Sequence, residues 1–424
     1  MKYTKKPRTE LVVIGGGAAG LMAAITASMS GAQVTLLERN DRVGRKLLIT
    51  GKGRCNLTNN CDIQQMISNI PRNGKFLYSS LKAFDVVNTM SFFESIGVSL
   101  KTERGNRVFP QSDKGMDVVD ALLKKLCAQG VKIKKARACE LIVKNGEIAG
   151  VRTDRGDIMC AAAIICTGGV SYPKTGSTGD GYRMAKIVGH TVIPPRPSLV
   201  PLESADSICA QMQGFSLKNV ALSLFGEKSG KLYEDFGEMQ FTHFGISGPI
   251  VLSASAHLKR EGTEKYHVLL DLKPALDEKK LDARILRDFK EFSNRNFANA
   301  LDKLAGRLMI PVLVDRSGIS PETKVNSITR QQRAALVKLF KEFRIDITGP
   351  RPVEEAVVTS GGICVKEINP STMESKLVSG LFFAGEVIDC DAYTGGFNLQ
   401  IAWSTGHAAG KHAARKLAEG DFIE

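Results

Sequence analysis

No run of 18 uninterrupted apolar residues occurs in the 424-residue chain, so no membrane-spanning helix is expected. The first ten residues, MKYTKKPRTE, lack the apolar core of a signal peptide and lead straight into a strand-like run, which argues against secretion. Cysteine occurs nine times, an odd number, but never as Cys-x-x-Cys and never at zinc-ligand spacing. That pattern argues against a disulfide framework or a zinc site and fits a reducing, cytoplasmic setting. No cluster of His, Asp and Glu suggests another metal, and there is neither an internal repeat nor a low-complexity tract. What remains is a globular chain, long for a single core and suited to two or three domains.

The most informative segment is LVVIGGGAAGLMAAITASMSGAQVTLLE, residues 11–38. A buried-strand run enters Gly15-x-Gly17-x-x-Gly20, passes through Ala18 and Ala19 into a small-residue helix, and reaches a second strand that ends at Glu38 and is followed by Arg39. Gly15 allows the tight turn, Gly17 lets backbone amides approach a pyrophosphate, and Gly20 lets the helix lie close on the sheet. The anion would sit at the helix N-terminus, where unpaired amides and the dipole favour negative charge. Glu38 stands where it can accept hydrogen bonds from an adenosine ribose, and its carboxylate would repel a 2′-phosphate; FAD or NAD is favoured over NADP.

The other end of the chain decides between those two. GLFFAGE, residues 380–386, reads as a short buried strand running into Gly385-Glu386, and the stretch from Thr394 reads as a helix opening on Gly395 and Gly396. In flavoproteins with two dinucleotide-binding folds, a Gly-acid pair at a strand end holds the ribitol chain. The following helix points its positive end at the flavin pyrimidine ring and stabilises the reduced cofactor. AIICTGG, residues 163–169, adds a strand ending at Thr167 and Gly168, where the chain would cross the cofactor. The expected fold class is α/β, a Rossmann-like FAD domain of the two-dinucleotide-binding type.

Further blocks carry a resemblance to a known family: GRKLLITGKGRCNLTN (44–59), NRVFPQSDK (106–114), TGSTGDGY (175–182), FTHFGISGP (241–249), SGGICVKEINPSTMESK (360–376) and LFFAGEVIDCDAYTGGFNLQIAWSTG (381–406). Together they resemble the BaiN/RdsA-like NAD(P)/FAD-dependent oxidoreductases, a family of aminoacetone oxidase-like flavoproteins. The resemblance runs from residue 11 to about 410. It implies an FAD domain built from both ends of the chain and interrupted by a β-barrel-like domain and a small helical domain. It also implies that Arg45, Lys46 and the glycine-rich loop with Gly53, Arg54 and Asn56 lie along the flavin. Asn398 is a further polar group suited to flavin or substrate, although bracing of loops explains Arg54, Asn56 and Asn398 as well. Members of the family are linked to steroid-like enones and to a uridine of large-subunit (23S) ribosomal RNA, so the resemblance specifies cofactor better than substrate.

Shifts of pattern divide the chain. Residues 117–130 have helical spacing, and 131–169 alternate as a β-meander before a closing strand. The cluster Pro194-Pro195-Arg196-Pro197 reads as a boundary, because proline continues neither a helix nor a central strand. Strand-like runs such as ALSLFG and YHVLLDL follow, then amphipathic helices in ARILRDFKEF and QRAALVKLFKEF, then a last strand, RIDITG. The expected domains are 1–193 with 354–424 for FAD, 194–273 with 343–353 for the barrel-like part, and 274–342 for the helical part.

Chemistry centres on Cys55 and His243. A flavin that reduces a C=C bond delivers hydride to one carbon, and a general acid protonates its neighbour. Cys55, with a thiol near its ordinary pKa of ~8.5, can serve as that acid; the alternative is a small side chain packed under the flavin. His243, at a strand tip in FTHFGISGP, is the second candidate, or else a loop histidine bonded to backbone. Trp403 reads as core. No second glycine fingerprint exists, since GSTGDG at 176–181 has the wrong spacing, so NAD(P)H would act only as a transient reductant. The formal charge of +14, with 15 Lys or Arg against 9 Asp or Glu over 277–344 and 10 against 4 over 101–137, fits either a solvated surface or a phosphate-binding stripe. The resulting expectation is an FAD oxidoreductase that converts an rRNA uridine to dihydrouridine. The alternatives are reduction of a small enone, oxidation of a small amine, or an RNA-binding or redox-sensing flavoprotein without turnover.

Overall fold

The computed structural model describes residues 11–259 and 264–420. They form two compact units, one made of the two ends of the chain, up to residue 198 and from 353, and the other of Leu199–Pro352.

At the centre of the first unit is a five-stranded parallel sheet, in the order Leu381–Phe383, Ala162–Ile165, Leu11–Ile14, Val34–Glu38 and Lys132–Lys135. Its inner strands are buried along their whole length, and Leu11–Ile14 and Ala162–Ile165 are continuous apolar runs, as a parallel sheet covered on both faces requires. The edge strand, KIKK, is exposed at every position, and its lysines discourage pairing with another chain. It departs from the expected meander: only Ala138–Lys144, Glu147–Thr153 and Gly156–Met159 form the antiparallel sheet, while Lys132–Lys135 joins the parallel one beside Val34–Glu38.

Helix Ala18–Met29 packs along the C-terminal helix Phe397–Gly420 with almost no side chain between them. A Cβ at Gly406 would lie 2.4 Å from the Ala19 carbonyl oxygen, and one at Gly410 would lie 2.3 Å from that of Ala23. Trp403 is fully buried, as its setting in the sequence suggests. The proline cluster does not break the chain. Val192–Ser198 pairs antiparallel with Val358–Ile363, with a register irregularity between Ile193 and Arg196. A two-stranded ribbon tolerates prolines that a central strand would not: the bulge skips Pro194 and Pro195, and Pro197 stays in register opposite Thr359.

The second unit is built on a seven-stranded sheet in the order Phe343–Ile347, Tyr266–Asp271, Ser216–Gly226, Gly230–Thr242, Gly245–Ser247, Leu202–Glu203 and Gly349–Pro350. The first and last of these are separated only by Thr348, so one chain segment pairs with both ends of the sheet and curls it into a barrel-like ring. Helices Glu278–Glu291, Ile310–Ser317 and Arg330–Lys341 share one apolar core with it, in which Leu281, Ile285, Leu336 and Phe340 meet Val268 and Phe343. The strand-rich and helical stretches thus form one compact unit. Among the described residues no helix is long and apolar enough to cross a membrane.

Candidate functional site

The glycine unit forms a cradle with one open side. Gly15 has φ +103°, and a Cβ there would meet the Cys166 carbonyl oxygen at 2.6 Å; a Cβ at Gly20 would lie 1.8 Å from the Gly15 carbonyl oxygen. Both positions therefore exclude side chains for the sake of the fold. Gly17 differs. It is the N-cap of Ala18–Met29, and among the described residues no side chain caps the helix there and nothing lies within 4 Å of where its Cβ would be. The first-turn amides, around Ala18 and Ala19, face this space without side-chain acceptors, an arrangement that suits a diphosphate. Thr167 Oγ1 is turned the other way, buried against Gly181, where a Cβ would lie 2.1 Å from it, and without a hydrogen-bond partner among the described residues; Gly168 takes the left-handed conformation at φ +70°.

Glu38 is buried at the end of its strand. Its Oε2 accepts from Gly16 N at 2.9 Å, and its Oε1 accepts from Asn40 N at 2.8 Å and Asn40 Nδ2 at 2.7 Å. Three of about four acceptor sites are thus engaged within the protein, leaving one for a ribose hydroxyl unless Asn40 gives way. Arg45 donates to Asn40 Oδ1 at 2.9 Å and so acts through that residue. Arg39 is turned to Thr178 Oγ1 and Asp180, at 2.6 and 3.0 Å. Burial works to raise the Asp180 pKa, but Arg137, Arg39 and Arg183 outweigh it and hold the carboxyl below its ordinary value.

Lys46 and Glu386, 340 residues apart in sequence, form an ion pair at 2.6 Å. Lys46 Nζ also donates to Ser171 Oγ at 2.8 Å, and Glu386 Oε1 accepts from Ser171 Oγ at 3.0 Å and Thr359 N at 2.8 Å. Thr359 Oγ1 in turn accepts from Val170 N and Ser171 N. The pair expected at the flavin is therefore also a junction that ties four chain segments together, around Lys46, Ser171, Thr359 and Glu386. Ser171 and Thr359 were not read from the sequence, and no local pattern marks them. Gly385 has φ +78°, and its N–H donates to Thr405 Oγ1 at 2.9 Å.

The glycine-rich loop is wound left-handed at Gly51, Lys52 and Gly53. Arg54 lies over the Phe109 ring at 4.0 Å, donates to Asp113 at 2.6 Å and pairs with Glu103; in this structure it braces the loop. Asn56, with its amide oriented to satisfy both ends, accepts from Gly396 N at 3.0 Å and donates to the Thr58 and Val108 carbonyls. Asn398 bonds to Ala392 N and O and to Tyr393 O, so it too closes a loop. Gly395 and Gly396, at φ +123° and +102°, lead into the C-terminal helix.

Cys55 departs from the expectation of an ordinary thiol. It has φ +60°, is 0% exposed within the core of the first unit, and burial pushes its pKa up to about 12 despite a hydrogen bond with Thr50. A neighbourhood of Leu and Val side chains solvates a thiolate poorly. His243 belongs to the other unit, exposed on the turn between Gly230–Thr242 and Gly245–Ser247, edge-on to Phe244 at 5.0 Å.

Comparison with known proteins agrees with this geometry. The family model described as the HI0933-like protein Rossmann domain matches residues 9–412. A 3-dehydro-bile acid delta(4,6)-reductase of Clostridium scindens is 33% identical over 95% of this chain and 98% of its own. Ribosomal RNA dihydrouridine synthases of Haemophilus influenzae and Escherichia coli K12 are 30% and 28% identical, over 96% and 95% of this chain and 99% and 97% of theirs. Among solved structures, the 3-ketosteroid-delta4-(5alpha)-dehydrogenase of Rhodococcus jostii RHA1 has a similar fold, with a TM-score of 0.53 at 14% identity over 97% of this chain and 98% of that one. An open glycine cradle, a buried acid at the end of the second strand and a family match across nearly the whole length converge on one conclusion: the chain belongs to the HI0933-like Rossmann-domain family and is an FAD-dependent oxidoreductase.

Proposed function

We propose that this enzyme saturates a C=C bond conjugated to a carbonyl, with a uridine of large-subunit (23S) rRNA as substrate, dihydrouridine as product and NAD(P)H as transient reductant. Charge carries the choice of RNA. The chain has a net charge of +14, and the sheet edge Lys132–Lys135 is exposed throughout, with no acidic partner for Lys132 or Lys134 among the described residues. Such an array attracts phosphates whatever the base sequence. Two relatives named for dihydrouridine formation in ribosomal RNA support the same substrate.

When bound, FAD supplies hydride chemistry to one carbon of the double bond. The uracil C5=C6 bond is polarised by C4=O, so hydride enters at C6 and a proton at C5. The protein's part is placement. The amides at Gly17 and in the helix turn after it would hold the diphosphate, and Glu38 would take a ribose hydroxyl at its remaining acceptor site. The Lys46–Glu386 pair fixes the Gly385 turn. Cys55 packs behind the glycine-rich loop, since a fully buried thiol with a pKa of about 12 is poorly placed to exchange protons with a substrate. His243 is exposed on a turn of the other unit.

Mapping dihydrouridine in large-subunit rRNA from cells lacking this protein tests the reading: one site should be lost and should return on complementation. An unchanged map would leave a second reading, reduction of a small enone, which the 33% identity to a bile acid reductase favours. In that case enone-dependent reoxidation of the reduced enzyme should proceed without RNA and without salt sensitivity.

A further inference from the structure

Gln400 lies one turn into the C-terminal helix and has no exposed surface. Its Oε1 accepts from Thr58 Oγ1 at 2.6 Å, and its Nε2 faces Thr89 Oγ1 at 2.9 Å, Ser404 Oγ at 3.0 Å and the Phe84 carbonyl at 3.1 Å. Next to it, Trp403 Nε1 donates to the Leu57 carbonyl at 2.9 Å. A buried amide left without partners is costly, so a satisfied network of this kind holds one arrangement of helix and strand against others.

The same short stretch, residues 56–59, grips the start of the helix. Asn56 accepts from Gly396 N at 3.0 Å, and Asn59 Nδ2 donates to the Gly395 carbonyl at 3.1 Å. A Cβ at Gly396 would lie 2.4 Å from the Thr58 carbonyl oxygen, so the helix end rests against this strand backbone to backbone. Thr58 thus touches the helix twice, through its carbonyl at Gly396 and through its hydroxyl one turn later at Gln400.

We propose that Thr58 and Gln400 are positioning residues whose hydrogen bond sets where the positive end of the C-terminal helix stands, and through it the reduction potential of bound flavin. The proposal rests on the reading that this helix end faces the flavin pyrimidine ring. A helix dipole acts over about its first turn, so a small displacement of that turn changes how strongly negative charge on the reduced ring is stabilised. Thr58→Val keeps shape and removes the hydroxyl that Gln400 needs, and Thr58→Ser keeps the hydroxyl.

The test is potentiometric titration of the FAD-loaded full-length protein, alongside thermal melts. Thr58→Val and, independently, Gln400→Met should lower the potential by at least a tenfold change in the reduction equilibrium, about 30 mV for a two-electron couple, and Thr58→Ser should restore the native value. Gly395→Ala and Gly396→Ala act on the helix end directly and serve as controls. If they shift the potential while Thr58→Val and Gln400→Met only lower the melting temperature, the network is merely structural and the proposal fails while the reading of the helix end stands. If none of the four shifts it, both fall.

Discussion

Gly17 and Gly20 stand three residues apart in one motif, yet the structure gives them opposite duties. Space is open around the missing Cβ of Gly17, whereas at Gly20 a Cβ would lie 1.8 Å from the Gly15 carbonyl oxygen. Gly17→Val should therefore fold with a near-native melting temperature and purify without FAD. Gly20→Ala should lose ~1–3 kcal/mol of stability as the helix is pushed from the turn. Thermal melts with flavin quantitation separate the two; a Gly17→Val protein with full FAD content would remove the diphosphate from this cradle. Cys55 has a test of its own. Because it is fully buried with its pKa at about 12, Cys55→Ala and Cys55→Ser should retain normal turnover per bound flavin, with any deficit confined to melting temperature or FAD retention. A fall of ~10² to 10⁴ in flavin reoxidation by substrate, with flavin reduction intact, would instead make the thiol the proton donor.

At the scale of elements, His190 joins the end of helix Asp180–Ile187 to the approach to strand Leu381–Phe383. Its Nε2 lies 2.8 Å from Ser375 Oγ and its Nδ1 3.1 Å from Glu367, and its ring meets Phe383 edge-on at 4.8 Å. Ser375 Oγ already accepts from Leu377 N and Val378 N. Its proton therefore goes to His190 Nε2, and Nδ1 carries the ring proton towards Glu367. Burial lowers the His190 pKa and outweighs the opposing pull of Glu367. The folded protein then binds fewer protons than the unfolded chain just below the ordinary histidine pKa of 6.5. The stabilisation is complete above that value and is lost as pH falls from 6.5 towards the lowered folded pKa. His407, lowered to about 4 chiefly by burial, and His412 act in the same direction. Melting temperature should drop between pH 7 and 5, and His190→Gln should make that drop shallower; parallel profiles for the two proteins would show that His190 does not contribute. None of this was legible in the sequence, where His190, Glu367 and Ser375 share no spacing. The helices and strands themselves were largely legible, because apolar periodicity is local.

For the whole molecule the open question is RNA, and much of the charge is engaged internally. Between 277 and 344, Arg284 pairs with Asp288, Lys303 with Glu291 and Arg333 with Asp282, so the count of basic residues there overstates the free charge. Lys132 and Lys134 on the exposed sheet edge are better probes. Lys132→Glu with Lys134→Glu should weaken RNA binding and leave FAD content unchanged, and native binding should fall with salt at a log–log slope of ~0.7–0.9 per phosphate contacted. Salt-independent binding, or none, would favour the small-enone reading.

By itself the sequence determined the cofactor unit, because Gly15, Gly17, Gly20 and Glu38 act through spacing within one contiguous βαβ stretch, where chain geometry alone brings them together. It also marked the second anchor at Gly385-Glu386 and the helix that follows. Only the tertiary structure decided how those side chains are used. Glu386 meets Lys46 from 340 residues away, Arg54 turns to Glu103 and Asp113, and Cys55 is sealed from solvent. Partners and burial of this kind come from the packing of distant segments, which leaves no periodic trace in the chain.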